Sequence, residues 1–334
     1  MKDNITQTEK AIKFPIDLVY LWVDGNDPVW REKRNRANIT LGNESHNNEA
    51  RWRDNDELKY SLRSVEKYAP WINRIFIVTD NQCPSWLDTD NPKVQIIDHS
   101  QIFPADALPI FNSQAIESVI YKIPGLSEHF ILGNDDTLFS APVSPLDFFN
   151  SDGTTIVRLS GTRMRDNKAR KGDMYVKTVY RMRDLVHRRF GVKIYYRPHH
   201  NFDSYRVGDF KKCAGLFKEE WTATTYSRFR SKEDIQRYIV GYYTIATGQG
   251  TMKKVGRYNR LSGIIEKITA FFSNSFASDS RCIPADKRDY MKVMKKYNPM
   301  MFCINDGENT TDKDRERIAV FLEALFPHKS VFEK

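Results

Sequence analysis

Between Glu128 and Asp136 the chain reads EHFILGNDD, an apolar run that ends abruptly in Asn134, Asp135 and Asp136. A buried strand that stops at a carboxylate pair sets hard oxygen ligands at the rim of a sheet, where a divalent cation and a phosphorylated ligand can meet. That is the outline of a sugar-nucleotide site, although the same residues would equally open a solvated turn before Phe139. A second acidic ending lies far downstream, where apolar Met301–Ile304 runs into Asn305, Asp306 and Gly307. It is expected to fold back beside Asp135 and Asp136. A proton acceptor is offered by Arg197-Pro198-His199-His200-Asn201-Phe202-Asp203. A histidine pair followed by an acid in a Pro-marked loop suits a general base oriented by Asp203, while adjacent histidines also commonly bridge backbone groups.

These groups need elements to hold them. Phe14–Trp22 (FPIDLVYLW) has the β-branched and aromatic content of a buried strand and ends in Val23-Asp24-Gly25-Asn26-Asp27-Pro28, dense in turn residues. A first strand ending in such a turn is where many α/β folds hold a nucleotide. In RWRDNDELKYSLRSVEKYAPW, Asp54 or Asn55 is expected to cap a helix whose apolar positions Leu58, Leu62 and Val65 recur at helical spacing, with Pro70 ending it. Arg51 and Arg53 lie just outside its positive end, where two guanidiniums suit a phosphate. Arg74–Thr79 and Val94–Ile97 read as further strands, and a helix capped by Asn112 or Ser113 carries Glu117. Strands alternating with helices indicate a mainly parallel α/β sheet. Beyond Gly153 the patterns become mostly helical, at about 173–190, 209–219, 231–247, 262–274, 285–297 and 312–326. Arg228 and Arg230 precede the third of these.

Composition excludes several classes. At 334 residues, 40% hydrophobic and 28% charged, the chain is an ordinary globular one. No stretch approaches the ~20 uninterrupted apolar residues of a membrane span, and MKDNITQTEK lacks the apolar core of a secretory signal, so a cytoplasmic location is expected. Cys83, Cys213, Cys282 and Cys303 are scattered without CxxC spacing, which indicates neither a zinc site nor a disulfide framework but small buried residues. From Arg158 to Arg197 there are 13 Lys/Arg against three acids, a balance of +10 that exceeds the +9 of the whole chain. Such a segment either draws polyanions or is a solvated basic face. Ile264, Ile265, Ile268, Phe271, Phe272 and Phe276 form a stripe behind Lys253, Lys254, Arg257 and Arg260, a pattern of a core-facing helix or, less commonly, of one resting on an anionic membrane.

The stretches IDLVYLWVDGNDPVW (16–30), RDNDELKYSLRSVEKYAPWINRIFIVTD (53–80), LPIFNSQAIESVIYKIPGLSEHFILGNDD (108–136), HHNFD, RFRSKEDIQ and CINDG (303–307) resemble, in order and wording, the conserved regions of the Stealth proteins. These are bacterial capsule and exopolysaccharide phosphotransferases, related to the animal N-acetylglucosamine-1-phosphotransferase that tags lysosomal enzymes. The resemblance implies a GT-A-like fold: a mainly parallel α/β sheet with a largely helical C-terminal half. It divides the chain into a nucleotide-sugar-binding core (14–160 plus 298–310), a basic acceptor-side region (161–297) and a C-terminal helix (311–334). The implied reaction moves hexose-1-phosphate from a UDP-hexose donor to a sugar hydroxyl and releases UMP. By position it assigns donor contacts to Asp17, Asp24, Asn55, Asn134 and Asn305, and phosphate or catalytic roles to Arg51, Glu117, His200 and Arg230. Where some relatives carry His-x-Pro-His, this chain has Arg197-Pro198-His199-His200, which leaves the choice of histidine open.

On this basis Asp136 and Asp306, with Asp135, are expected to hold Mg²⁺ or Mn²⁺, and His200 or Glu117 to take the proton of the attacking hydroxyl. The expected acceptor is an anionic capsule or exopolysaccharide gathered by the basic segment, with peripheral membrane contact at the inner face. Two readings compete. A conventional metal-dependent glycosyltransferase would release UDP, and a nucleic-acid-binding protein would use the basic segment but leave both acidic endings unexplained.

Overall fold

The computed structural model describes residues 12–40, 56–164, 174–255, 279–286, 289–305 and 310–334. The first half alternates as its patterning dictates. Strand β1 (Ile16–Leu21) leads to helix α1 (Pro28–Thr40); then come α2 (Glu57–Tyr68), β2 (Ile75–Thr79), β3 (Val94–Asp98), α3 (Ser113–Val119) and β4 (His129–Asn134). A tight turn at Asp135 and Asp136 joins β4 to the short β5 (Thr137–Phe139), and β6 (Thr155–Arg163) follows. The second half runs α4 (Met174–Phe190), β7 (Tyr196–Pro198), β8 (Asp203–Arg206), α5 (Val207–Leu216), α6 (Lys218–Thr225), α7 (Tyr238–Ala246), β9 (Gly250–Val255), β10 (Ser280–Pro284), α8 (Tyr290–Tyr297), β11 (Met301–Asn305) and α9 (Asp312–Leu325).

The central sheet has the order β3-β2-β1-β4-β8. Its first four strands are parallel and β8 closes the edge antiparallel to β4. Both faces of β1, β2 and β4 are covered, which is why these strands read as continuous apolar runs. Val19, Phe76, Val78, Phe130 and Leu132 point to one core, shared with α3, α4, α5 and α7. Leu18, Tyr20, Ile75, Ile77 and Ile131 point to the other, built with Leu58, Leu62 and Val65 of α2. The cap of α2 is Asp56, in left-handed conformation at φ 63°, rather than Asp54 or Asn55, which lie outside the described residues. Parallel strands with one direction of crossover bring all their carboxyl ends to one rim, and that rim carries Asp24, Asn134, Asp135 and Asp136.

A second sheet, β10-β11-β5, completes the rim. β11 runs antiparallel to β5, with Cys303 opposite Thr137, and the Ile304 N–H donates to the Asp136 carbonyl at 3.3 Å. The downstream apolar run thus does fold back beside Asp135 and Asp136, and it ends there in Asn305. A third sheet, β7-β6-β9, supports the loop before β8. Sequence patterning placed helices well at α4, α5 and α9 but missed the short α6 and the strands β7, β8, β9 and β10, whose short polar stretches gain strand geometry only from partners far away in the chain. The expected helix at 231–247 begins only at Tyr238, that at 285–297 only at Tyr290, and the stretch 262–274 with its apolar stripe lies outside the described residues. Among the described residues no helix is long and apolar enough to cross a membrane.

The basic segment is less of a surface than its composition suggests. Arg158 is completely buried, its Nε donating to Asp279 at 2.6 Å and its guanidinium to the Asp147 carbonyl at 2.6 Å. Arg183 is buried against Tyr180 and donates to Asp184, and Arg181 pairs with Glu233. Residues 165–173 lie outside the described set.

Gly133 shows how tightly the rim is built. A methyl group there would come within 2.5 and 2.6 Å of two Phe202 ring carbons and 3.2 Å of the Tyr20 ring. Phe202 is itself stacked on Phe139 at 4.2 Å, so it has no easy retreat. Gly133→Ala should therefore displace Phe202, and with it the adjoining histidine loop, at a cost of roughly 1–3 kcal/mol by the measure of overpacked cores; an unchanged urea midpoint would contradict this.

His99, after β3, is 2% exposed, and burial pulls its pKa down to about 4 against the raising effect of Asp80 and Asp98, with Lys33 nearby. The folded chain holds this imidazole neutral while the unfolded chain protonates it near 6.5, so the unfolded state binds more protons between those values. Stability is then fully present above about 6.5 and declines as pH falls toward 4, by on the order of 2–3 kcal/mol. Urea midpoints at pH 7.5 and 5 should differ accordingly, and His99→Leu should flatten the dependence; His199 and His129, also shifted downward by burial, contribute with the same sign.

Candidate active site

The rim gathers side chains from five places. Asn134 ends β4 and Asp136 follows in the turn. His200 lies in the loop before β8, Asn305 ends β11 and Glu117 projects from α3. The fifth contributor is Arg237, immediately ahead of α7, which the sequence did not single out.

Arg237 is 2% exposed and ties three elements together. Its backbone N–H and one guanidinium nitrogen each donate to Glu117 at 3.0 Å. The same nitrogen donates to Asn134 Oδ1 at 3.0 Å, and the other side of the fork meets Asp203 at 3.3 Å. Such an arrangement uses the fixed planar geometry of a guanidinium. Burial nonetheless pushes the Asp203 pKa up to about 6, although Arg237 opposes it.

The consequence passes to His200. A guanidinium can only donate, so the Asn134 oxygen must face Arg237 and its amide NH₂ must face the other way. That NH₂ lies 3.2 Å from His200 Nε2. An amide nitrogen likewise only donates, so in the neutral form of the ring Nε2 is the unprotonated, accepting nitrogen. Asp136 Oδ1 stands 3.5 Å from the same nitrogen and is placed to receive it once protonated. Burial lowers the His200 pKa, but the Asp136 carboxylate outweighs it and holds the group above its ordinary value. His200 keeps 32% of its side chain open to solvent. His199 turns away, its Nδ1 meeting Ser280 Oγ at 3.1 Å, and burial pulls its pKa down to about 4.

Other expected residues fall differently. Asp24 sits half-buried beyond β1, one carboxylate oxygen accepting from the Asn26 N–H at 2.8 Å, and its backbone is fastened by Gln82. Asp135 accepts from the Asp136 N–H at 3.1 Å. Arg230 reaches Ser113 Oγ at 2.7 Å, one helical turn from Glu117 on α3. Asp17 is not brought to the rim. It lies near the opposite end of β1, fully buried, and its carboxylate accepts from Asn73, Arg74 and the Ser127 N–H, which makes it an internal brace. Asp203 is the partner of Arg237 rather than the orienter of His200. Glu117, saturated by Arg237, is less available than His200 to take a proton. Arg51, Asn55 and Asp306 lie outside the described residues.

Cysteine reading also needs correction. Cys282 and Cys303 are cross-strand neighbours in β10 and β11, and their thiols are hydrogen-bonded. That bond draws Cys282 down to about 7 while pushing Cys303 upward. Cys303 Sγ, a His200 nitrogen and an Asp136 oxygen all lie within 4.8 Å of one another and could hold a metal ion. The carboxylates at the β4–β5 turn fit a divalent cation that also binds phosphate oxygens, as Mg²⁺ commonly does.

Comparison with known proteins places these residues in a family context. The family model described as Stealth protein CR1, conserved region 1, matches residues 14–42, and that described as CR2, conserved region 2, matches residues 51–157. An exopolysaccharide phosphotransferase of Streptomyces coelicolor is 36% identical over 97% of this chain, which spans 53% of that protein's length. A receptor polysaccharide phosphotransferase of Streptococcus gordonii and a capsular polysaccharide phosphotransferase of Streptococcus pneumoniae are each 32% identical over 95% of the chain, which covers 98% and 99% of them. Among solved structures, a galactosyltransferase, LgtC, in complex with donor and acceptor sugar analogs superposes with a TM-score of 0.41 at 11% identity, over 95% of this chain and 98% of that one.

Proposed function

Because the chain belongs to the Stealth family, we propose that it transfers hexose-1-phosphate, in the first instance an N-acetylhexosamine-1-phosphate, from a UDP-sugar to a hydroxyl of a capsular or exopolysaccharide acceptor, releasing UMP. The observation that carries this is the accepting Nε2 of His200, oriented by Asn134 and faced by Asp136, at the carboxyl rim of a parallel sheet.

In this reaction the acceptor hydroxyl oxygen bonds to the β-phosphorus, the bond from that phosphorus to the bridging oxygen breaks, and UMP departs on the far side. Phosphoryl-type transfer asks the protein mainly for in-line positioning and charge neutralisation. His200 Nε2 takes the hydroxyl proton, and the imidazolium so formed turns its N–H to Asp136. Arg230 and Arg51 bind phosphate oxygens, and Asp24, Asn55 and Asn305 hold the donor. A divalent cation, held by Asp136 with Asp135 and Asp306, would supply positive charge to the pyrophosphate when bound.

The acceptor is itself a polyanion, so its binding by exposed Lys and Arg of residues 158–197 should weaken as salt screens them. A Kd for the capsule oligosaccharide that stays constant from low to high salt would remove that segment from acceptor recognition. The reaction is tested by incubating the protein with a panel of UDP-hexoses, acceptor, and either Mg²⁺ or chelator, and identifying the nucleotide released. Metal-dependent UMP with phosphorus retained in the product is expected. UDP would mean that the sugar–oxygen bond is cleaved, as in a conventional glycosyltransferase.

A further inference from the structure

Three metal-ligating side chains converge at the rim, and only one of them, Asp136, was expected from the sequence to bind metal. Cys282 and Cys303 stand in register on parallel strands, so their side chains share a face, and the thiols touch. Cys303 is fully buried in β11, whereas Cys282 in β10 opens to solvent. The Cys303 sulfur, a His200 nitrogen and an Asp136 oxygen lie within 4.8 Å of one another, and His200 Nε2 and Asp136 Oδ1 are 3.5 Å apart. Cys282 lies beside this group, opposite Cys303 in the strand register, and is not itself among the three atoms that stand within 4.8 Å of one another.

Two sulfurs, one imidazole nitrogen and one carboxylate oxygen make a poor shell for Mg²⁺, which takes oxygen ligands in octahedral geometry. They suit Zn²⁺, which binds thiolate at about 2.3 Å and imidazole or carboxylate at about 2.0–2.2 Å, four at a time. A four-ligand shell requires the Cys282 thiol to turn toward the other three groups, and the exposed position of Cys282 provides the way in.

We propose that Cys282, Cys303, His200 and Asp136 form a binding site for a thiophilic divalent ion, Zn²⁺, and that its occupation stops the transfer reaction. Zn²⁺ displaces the thiol protons to solvent and forms two Zn–S bonds, with His200 and Asp136 as neutral and anionic ligands. It occupies the lone pair that would otherwise take the acceptor proton. The binding stands on the placement of these residues in the fold; the inhibition rests on the proposed function.

Co²⁺, titrated into metal-free protein, separates the two. A single Co²⁺ per chain is expected to show intense four-coordinate visible bands and a thiolate-to-cobalt charge-transfer band, both bleached by Zn²⁺. Cys282→Ser, at an exposed position, should halve the charge-transfer band and weaken Zn²⁺ binding roughly tenfold or more, since even outer-shell partners of a metal commonly matter that much; Cys303→Ser should do the same. A weak six-coordinate spectrum without a sulfur band, or one unchanged in both variants, overturns the site. With UMP release measured in Mg²⁺, stoichiometric Zn²⁺ should abolish turnover and a zinc-selective chelator restore it, while bound Zn²⁺ with undiminished turnover overturns the inhibition. Absence of UMP from every donor would count against the proposed function, and the cobalt spectrum would still decide the site.

Discussion

Alanine at His200 should lower UMP release by roughly 10²–10⁴-fold, the range that a positioned general base contributes, while leaving affinity for the UDP-sugar nearly unchanged. The asymmetry follows from geometry. In the neutral ring, His200 Nε2 is an accepting nitrogen by necessity of the Arg237–Asn134–His200 chain of donors, with Asp136 3.5 Å away to receive the proton it gains. None of this is donor binding, so removal of the ring should fall on kcat rather than on KM. His199→Ala, which loses a contact to Ser280 and not to Asn134 or Asp136, should have a far smaller effect on the chemical step. A His200→Ala enzyme that turns over at the parent rate would take this residue out of the mechanism and return attention to Glu117.

Arg237→Ala is expected to act first on stability. The substitution leaves Glu117 and Asp203, both nearly buried, without the guanidinium that faces them, and breaking a buried pair in this way commonly costs about 3–5 kcal/mol. Set against a typical total of roughly 5–15 kcal/mol, that is a large share. Denaturant midpoints and soluble yield should both drop. Whatever folds should also turn over slowly, because Asn134 loses the donor that fixes its amide and His200 then loses its orientation. Arg237→Lys distinguishes charge from geometry: a single ammonium can neutralise one carboxylate but cannot reach Glu117, Asp203 and Asn134 together. It should recover part of the stability and little of the turnover. A wild-type denaturation midpoint in Arg237→Ala would show that the pairs contribute nothing to the fold.

Much of this molecule is written locally. The runs at Ile16–Leu21, Ile75–Thr79 and His129–Asn134 are strands because β-branched and aromatic residues fill both faces of a covered parallel sheet, and that information lies within six residues of chain. Leu58, Leu62 and Val65 mark α2 by spacing alone, and Met174–Phe190 and Asp312–Leu325 are legible in the same way. The two apolar runs ending in acids were enough to anticipate that β11 returns to Asp136. The order of motifs was enough to place the chain in its family. Which groups meet at the rim is another kind of fact. Glu117 and Arg237 are 120 residues apart, Asn134 and His200 are 66 apart, and Cys282 faces Cys303 only because β10 and β11 pair in one register. Asp17 shows the same from the other side: its motif reads as functional, but its place at the far end of β1 makes it a brace. Periodicity reports whether a residue faces a core, since that depends on near neighbours. The partner of a buried charge, the tautomer of an imidazole and the donors around a metal depend on which distant strands and loops close upon one another, and only the folded chain decides that.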